Sequence, residues 1–362
     1  MNKIESLYKE WQSLQPVKEE MQRRLDQKFM LEFNYNSNHI EGNTLTYGQT
    51  ELLLLFGRVV GEAKMKDLEE MKAHNVCLKM TITEAKEKDK PLTEYLIRTL
   101  HQTMLREDYT FYRQLPGGET TSYVVHAGCY KTRPNSVITP TGERFEYASP
   151  EETSALMADL VNWYNSAATE GKLTPVELAA MFHYRYIRIH PFEDGNGRIA
   201  RLLMNFILLR YGYPMIVIRS KNKKAYLDAL GKADQVVGPV PSDGANATLE
   251  QAKDFIEYIE KQVEITLQAD LDFIKEKEDA VWWFDGEFVK IKNETTIHLL
   301  KYLVDHPQAT VKELTQVLSI NKSAVQKQIE SLQRKGYVTR VGTRKEGKRV
   351  VNLVSTTPNG GK

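Results

Sequence analysis

The chain has 362 residues, 41% of them hydrophobic, enough for two or three separate cores, and its formal net charge of +1 excludes binding to nucleic acid through bulk charge. Two cysteines, Cys77 and Cys129, with no CxxC, exclude a disulfide framework and a zinc site and fit a reducing compartment. The opening MNKIESLYKEWQS is charged from the start and the apolar run 52–56 is far too short to cross a bilayer, so a cytoplasmic protein without membrane contact is expected.

Up to about residue 115 the pattern is helical, with breaks at Pro16, Gly42 and Pro91. Between 128 and 150 the texture changes to Pro, Gly, Val, Ile and Phe, with a turn at Pro140-Thr141-Gly142, and reads as a β-hairpin set between helices. Thr174, Pro175 and Glu177 form an N-cap, a proline at the first helical position and a capping-box partner, which predicts a helix over 175–189. The next helix starts at Gly197 and stops at Arg210 or Tyr211, where Gly212 and then Pro214 end it. Helical pattern continues to about residue 274. Near 295 a small module begins: Thr310 and Glu313 make a second capping box, Asn321 caps a further helix that Gly336 ends, and 337–341 and 349–353 alternate as strands around a turn at 342–347. Helix, turn, helix and a two-stranded wing resemble a winged helix. Residues 305–349 hold ten Lys/Arg against four Asp/Glu, a local basic bias that the whole-chain charge conceals.

The expected fold is therefore an all-α bundle with one β-hairpin, followed by a small α+β winged-helix domain. Its divisions are an N-terminal helical region at 1–115, a core at 116–275 with the hairpin at 128–147, a connecting segment at 276–294, the winged helix at 295–356 and a tail at 357–362. In the connecting segment Trp282, Trp283 and Phe284 favour packing over a free linker.

The loop between the two central helices reads HPFEDGNGRIAR, residues 190–201. Gly195, Asn196 and Gly197 can adopt positive φ and turn successive N–H groups toward one anion at a helix N-terminus. Gly195 to Ala200 matches a relaxed dinucleotide fingerprint, G-x-G-x-x-A, but an amphipathic helix precedes it where a buried strand is required, so that reading is rejected. Arg198 and Arg201 stand three apart on one helix face, at the end where a cation is unfavourable. They make sense beside a ligand of several negative charges, such as a nucleoside triphosphate. Asp194 would repel that ligand unless Mg²⁺ lay between them, and His190 has the pKa to take a proton from a hydroxyl. His183 reads as structural, Phe192 as an anchor that holds the loop in the core, and Glu193 as facing solvent.

HPFEDGNGRIAR resembles the signature of the Fic family, H-P-F-x-[D/E]-G-N-G-R-x-x-R, at every fixed position, and the likeness extends over about 30–260. The resemblance implies a Fic-type helical bundle with a hairpin flap, and transfer of AMP from ATP, with Mg²⁺, to a hydroxyl side chain of a target protein. By position it makes His190 the base and Asp194 the Mg²⁺ ligand. Gly195, Asn196, Gly197 and Arg198 would cradle the α- and β-phosphates, with Arg201 on the γ-phosphate. The flap, about 132–145, would offer an edge strand to an extended target segment. Tyr226 and Asp234 would fall near the adenine, where Asp234 departs from the family's usual Asn.

Upstream, Ser37 and Glu41 lie one turn apart on a helix that Gly42 ends before Asn43, and Thr46 with Gln49 caps the next helix. Ser37, Glu41, Gly42 and Asn43 resemble the family's inhibitory motif [S/T]-x-x-x-E-[G/N], placed on a helix at about 34–43. That resemblance implies that Glu41 pairs with Arg201 and blocks the γ-phosphate. Two other functions stay open at this stage. One is a DNA-binding regulator, or an antitoxin-like protein, with a nucleotide-sensing core; Lys322, Ser323, Gln326, Lys327 and Arg334 would face DNA, while Val325, Ile329 and Leu332 turn inward. The other is an enzyme of the same family that removes AMP or transfers another phosphate-containing group. The winged helix also suits a protein partner, and a homodimer is left open.

Overall fold

In the computed structural model, which describes residues 3–114, 119–138, 144–275, 281–285, 287–291, 293–342 and 347–355, seven of the α-helices start at a side-chain N-cap. The chain divides into two compact units, Met1–Ala269 and Asp270–Lys362. The first opens with α1 (Lys3–Ser13), α2 (Glu19–Ile40), α3 (Tyr47–Phe56), α4 (Met65–Lys86) and α5 (Glu94–Leu105). Strands β1 (Tyr109–Gln114) and β2 (Thr120–Val125) form an antiparallel hairpin, and β3 (Ser136–Ile138) and β4 (Arg144–Glu146) form another. The helices α6 (Pro150–Glu170), α7 (Pro175–Ile189), α8 (Asn196–Arg210), α9 (Lys223–Val237), α10 (Pro241–Ala245) and α11 (Lys253–Lys275) follow. No helix among the described residues is long and apolar enough to cross a membrane.

Both predicted boxes in this unit form: Thr46 with Gln49 at α3, and Thr174 with Glu177 at α7, where Pro175 is the first helical residue. Gly212, with φ of 78°, follows α8 as expected. One departure is the stretch up to 115, read as helical throughout. Arg106 closes α5 in a positive-φ conformation, and YTFYRQ then runs as β1, because its aromatic and β-branched residues suit a pleated strand better than a helix. The predicted hairpin is present as β3 and β4, paired Ser136 to Glu146 and Ile138 to Arg144. Its turn, at 140–142, lies outside the described residues.

α8 packs against α4 and α7 and is buried nearly all round. Side chains such as Leu202, Leu203, Phe206 and Ile207 are at most 1% exposed, each contributing about 1.5–3 kcal/mol. That burial offsets the cost of carrying Arg198 and Arg201 inward on the same helix.

α2 is locked on two sides by buried polar groups. Asn34 meets His74 Nδ1 at 2.7 Å through Oδ1 and Asn75 at 3.0 Å through Nδ2. Beyond its C-terminus, Asn43 donates to Asp67 O at 2.9 Å. On the other side Ser220 N–H donates to Asn36 Oδ1 at 2.8 Å and Lys223 Nζ to Ile40 O at 2.6 Å. Burial, then the charges of Arg198 and Arg201, hold His74 well below the usual histidine range, so it is neutral.

In the second unit β5 (Val281–Phe284) lies between β6 (Glu287–Lys290) and β9 (Val354–Ser355), all antiparallel. α12 (Glu294–Asp305), α13 (Val311–Leu318) and α14 (Lys322–Arg334) follow β6, and β7 (Val338–Val341) and β8 (Lys348–Val351) form the wing. The 276–294 segment, read from sequence as a join, thus supplies two strands of this unit, and Trp282 enters its core with Leu299, Leu303, Leu314, Val325, Ile329 and Leu332. The capping box of Thr310 with Glu313 and the Asn321 cap both form. Lys322, Ser323, Gln326, Lys327 and Arg334 are exposed, with Val325, Ile329 and Leu332 turned inward. Residues 343–346 of the wing turn and the tail at 357–362 lie outside the described residues.

Candidate active site

α7 ends because Pro191 cannot continue it, and His190 closes it in a left-handed conformation with φ of 51°. The ring stacks face to face on Tyr147, centroids 4.0 Å apart. Two amide nitrogens reach its Nδ1, Asn135 Nδ2 at 2.8 Å and Asn196 Nδ2 at 3.1 Å. Desolvation, then the charge of Lys131, push its pKa down to about 3 against the opposing pull of Asp194. The neutral ring is therefore the form present at physiological pH.

The loop after His190 is anchored by Phe192, which is 0% exposed and stacks on His101 at 3.7 Å, as its apolar character predicts. His101 accepts from Gly128 N–H on Nδ1 and meets Asp194 O through Nε2 at 3.1 Å, so it bridges the approach to the flap and the loop as a neutral ring. Glu193, expected to face solvent, instead accepts from the backbone N–H and hydroxyl of Thr132. A carboxylate next to the flap base finds two donors there that water would otherwise have to supply.

Asp194 accepts from Tyr109 at 2.8 Å and from Gly195 N–H at 2.6 Å, with Arg198 Nη2 3.5 Å away. Burial raises its pKa, but Arg198 and these two donors outweigh that effect and the carboxyl is held below its usual range. Its side chain remains 41% exposed. Of the three residues expected to turn their N–H groups inward, Gly195 has positive φ, 78°, while Asn196 and Gly197 already belong to the first turn of α8. What Gly197 provides is room: a Cβ there would collide with the Glu41 carboxylate and lie 3.1 Å from Arg201 Nη1.

Arg201 is buried. Its Nε donates to Ser37 Oγ at 3.0 Å, and Nη2 donates to Ser37 O at 2.9 Å and to Glu41 Oε1 at 2.7 Å. Glu41 is the residue just past α2, Gly42 follows with φ of 96°, and Asn43 fixes the turn to α4. Arg198 also has a carboxylate neighbour besides Asp194: Glu70 Oε1, 3.8 Å from Nη1. The two arginines and the α8 N-terminus thus form an anion site, and Glu41 is an anion lying in it.

Tyr226 and Asp234 are brought to the same region, and the Tyr226 side chain also hydrogen-bonds Arg201. Tyr226 is 3% exposed with its hydroxyl 3.0 Å from His183 Nε2. His183 is buried and neutral, as the structural reading of it anticipates. Asp234 Oδ1 accepts from Tyr184 at 2.9 Å and from Arg188, itself 1% exposed, at 3.0 Å. Sequence reasoning missed Asn135, Tyr147, Tyr109, His101 and Glu70. The first two flank the strands of a hairpin that was legible; the others are ordinary polar residues on helices or strands, with no local signal.

A model of the Fic/DOC family matches residues 91–208. The crystal structure of a Fic domain-containing signaling protein from Bacteroides thetaiotaomicron is 56% identical in sequence, covers 76% of this chain and 100% of its own, and superposes with a TM-score of 0.70. The chain belongs to the Fic/DOC family. Fic relatives include protein adenylyltransferase fic-1 of Caenorhabditis elegans, 28% identical over 72% of this chain and 44% of the relative. Another is protein adenylyltransferase Fic of Aedes aegypti, 30% identical over 59% of this chain and 39% of the relative. The Fic chain described here spans less than half the length of these two. A MarR-family model matches 293–349, in line with the winged helix.

The residues of this Fic core fit the groups that the family implies. An internal carboxylate already rests on Arg201 and against Gly197, so the site accepts negatively charged oxygens. Among the described residues no cluster of three or more His, Cys, Asp or Glu could cage a metal. A single partly exposed carboxylate, Asp194, suits Mg²⁺, which keeps most of its waters and shares phosphate oxygens with its substrate.

Proposed function

We propose that this Fic protein is a protein adenylyltransferase that moves AMP from ATP to a hydroxyl side chain of a target protein or of itself, and that Glu41 holds it off. The observation that carries the reading is the 2.7 Å contact of Glu41 with Arg201 at the N-terminus of α8, where a polyphosphate end would otherwise lie. Arg201 would meet the γ-phosphate; Arg198 and the amides at 195–197 would hold the α- and β-phosphates. Asp194 would hold Mg²⁺, which when bound neutralises phosphate charge and orients the leaving group. His190 takes the hydroxyl proton on a ring nitrogen, the freed oxygen forms a bond to the α-phosphorus, and the bond to pyrophosphate breaks. The flap strands β3 and β4 are the docking edge for the target segment.

The test is intact-mass spectrometry of Glu41→Gly protein incubated with ATP and Mg²⁺. One added AMP on the chain or on a co-incubated protein, carried by label on the α-phosphate and absent with His190→Ala, supports the reading. Transfer of label from the γ-phosphate instead would replace it with phosphoryl transfer, and removal of AMP from a modified protein would favour the reverse reaction.

A second reading concerns the C-terminal unit. The exposed row Lys322, Ser323, Gln326, Lys327 and Arg334 on α14 supports contact with a DNA groove and its phosphates. Binding to duplex DNA should weaken with salt, and Lys322→Glu with Lys327→Glu should lower the log–log salt slope by about 1 per lost phosphate contact. No salt-dependent binding at all would leave the unit as a protein-docking module.

A further inference from the structure

The two amides beside His190 determine which ring nitrogen carries its proton. Asn196 Oδ1 accepts from Phe192 N–H at 3.0 Å, and its Nδ2 donates to Phe192 O at 2.7 Å, so the nitrogen side is the one turned to the ring. Asn135 Oδ1 accepts from Lys131 Nζ at 2.8 Å, while its Nδ2 donates to Phe192 O at 3.0 Å. A backbone N–H and an ammonium can only donate, so each amide is oriented by a partner other than the histidine. Both nitrogens then face Nδ1, at 2.8 and 3.1 Å. A nitrogen facing two donors accepts, and a neutral imidazole has one N–H, which must therefore sit on Nε2.

That arrangement is at odds with a base that works through Nε2, since the lone pair needed there is already protonated. We propose that Asn135 and Asn196 are positioning residues that together keep His190 in its Nε2–H tautomer at rest, and that Nε2 becomes basic only when both amides turn their nitrogens away from Nδ1. The inference rests on reading His190 as the base of AMP transfer. The change is balanced: once both amide nitrogens have left Nδ1, the Nε2 proton leaves to water, another binds Nδ1, and the ring stays neutral. Nε2 then takes the hydroxyl proton, and Asp194 is the nearby anion that favours the resulting imidazolium. Asn135 immediately precedes β3. Lys131, leading into the flap, and Asp194, on the ring's own loop, are the charged groups facing the ring, and Tyr147 covers its face.

The experiment is a long-range ¹H–¹⁵N correlation spectrum of the ¹⁵N-labelled full chain at neutral pH, with His190→Gln to assign the resonance. Protonated Nε2 and bare Nδ1 are expected; a proton on Nδ1 at rest overturns the proposal. Asn135→Asp, in the Glu41→Gly background, keeps an acceptor for Lys131 and gives Nδ1–H a carboxylate. It should move the proton to Nδ1 and raise the ring's pKa, shifting the acid limb of the transfer rate upward by about 1–3 pH units. An unmoved limb with an unchanged spectrum also overturns it. A Glu41→Gly protein that transfers nothing while its spectrum shows Nε2–H removes the AMP-transfer reading alone. An active protein with Nδ1–H at rest removes the tautomer proposal alone.

Discussion

Removing the Glu41 carboxylate should tighten ATP more than ADP. The contact it makes with Arg201 is a charge-assisted hydrogen bond of 2.7 Å, a class that contributes about 1.5–3 kcal/mol. Glu41's side chain is 37% exposed while that of Arg201 is 2% exposed, so water screens one partner and the lower part of the range applies, about 1.5–2 kcal/mol. A γ-phosphate that no longer has to displace it gains that amount, equivalent to about 10- to 30-fold in Kd. ADP has no γ-phosphate and should change by less than roughly threefold. The assay is isothermal titration of ATP and ADP with Mg²⁺ into His190→Ala and His190→Ala/Glu41→Gly proteins, which bind without turning over. Equal tightening of both nucleotides, or none for either, would refute the competition between Glu41 and the γ-phosphate. Glu41→Gln, which keeps an acceptor but loses the charge, should fall between the two proteins.

Gly197→Ala should lower stability by about 1–3 kcal/mol in urea unfolding, because its Cβ meets the Glu41 carboxylate. Most of that loss should vanish in the Glu41→Gly background, and a cost that stays the same there would point to backbone strain. Asp234→Asn should cost about 1.5–3 kcal/mol by leaving Arg188 without its carboxylate, with ATP affinity unchanged. Weaker ATP binding at intact stability would put Asp234 back at the adenine. Stability should also fall with acidity. Burial lowers the folded pKa of His101 to about 4 and of His183 to about 3, below about 6.5 in the unfolded chain. The unfolded state therefore binds more protons as pH falls below about 6.5, and each histidine contributes a slope near 1.4 kcal/mol per pH unit until its folded pKa is reached. Urea midpoints from pH 7.5 down to 5 should show it, and His183→Gln should flatten the slope; an unchanged slope in that variant would mean His183 is not the source.

Local chemistry was readable from sequence wherever a rule needs only a few neighbouring residues. Thr174, Pro175 and Glu177 place the start of α7 because cap, proline and partner lie within one turn. Gly195 is similar, although Gly197 turned out to matter for the space beside it more than for its backbone freedom. The pairing of Glu41 with Arg201 joins residues far apart in the chain, and no periodicity could reveal it; the likeness to the family motif alone suggested it. β1 escaped notice because a helical stretch precedes it, and the positive-φ conformation at Arg106 that ends α5 carries no glycine to signal it. Asn135 lay inside a hairpin that was anticipated, yet its role depends on Lys131 fixing an amide by one hydrogen bond, a fact of three dimensions.

α2 is gripped from both sides by groups that would be left unpaired if it moved away: Asn34 with His74 and Asn75, Asn36 with Ser220, and the carbonyl of Ile40 with Lys223. On the proposed reading the inhibitory element is part of the same compact unit as the site it blocks. On that reading each molecule would fold with Glu41 already on Arg201, and release would happen at the scale of one carboxylate and one unwound turn. Activity in a population would then be set by how often that turn frays, a quantity that temperature and point substitutions tune continuously.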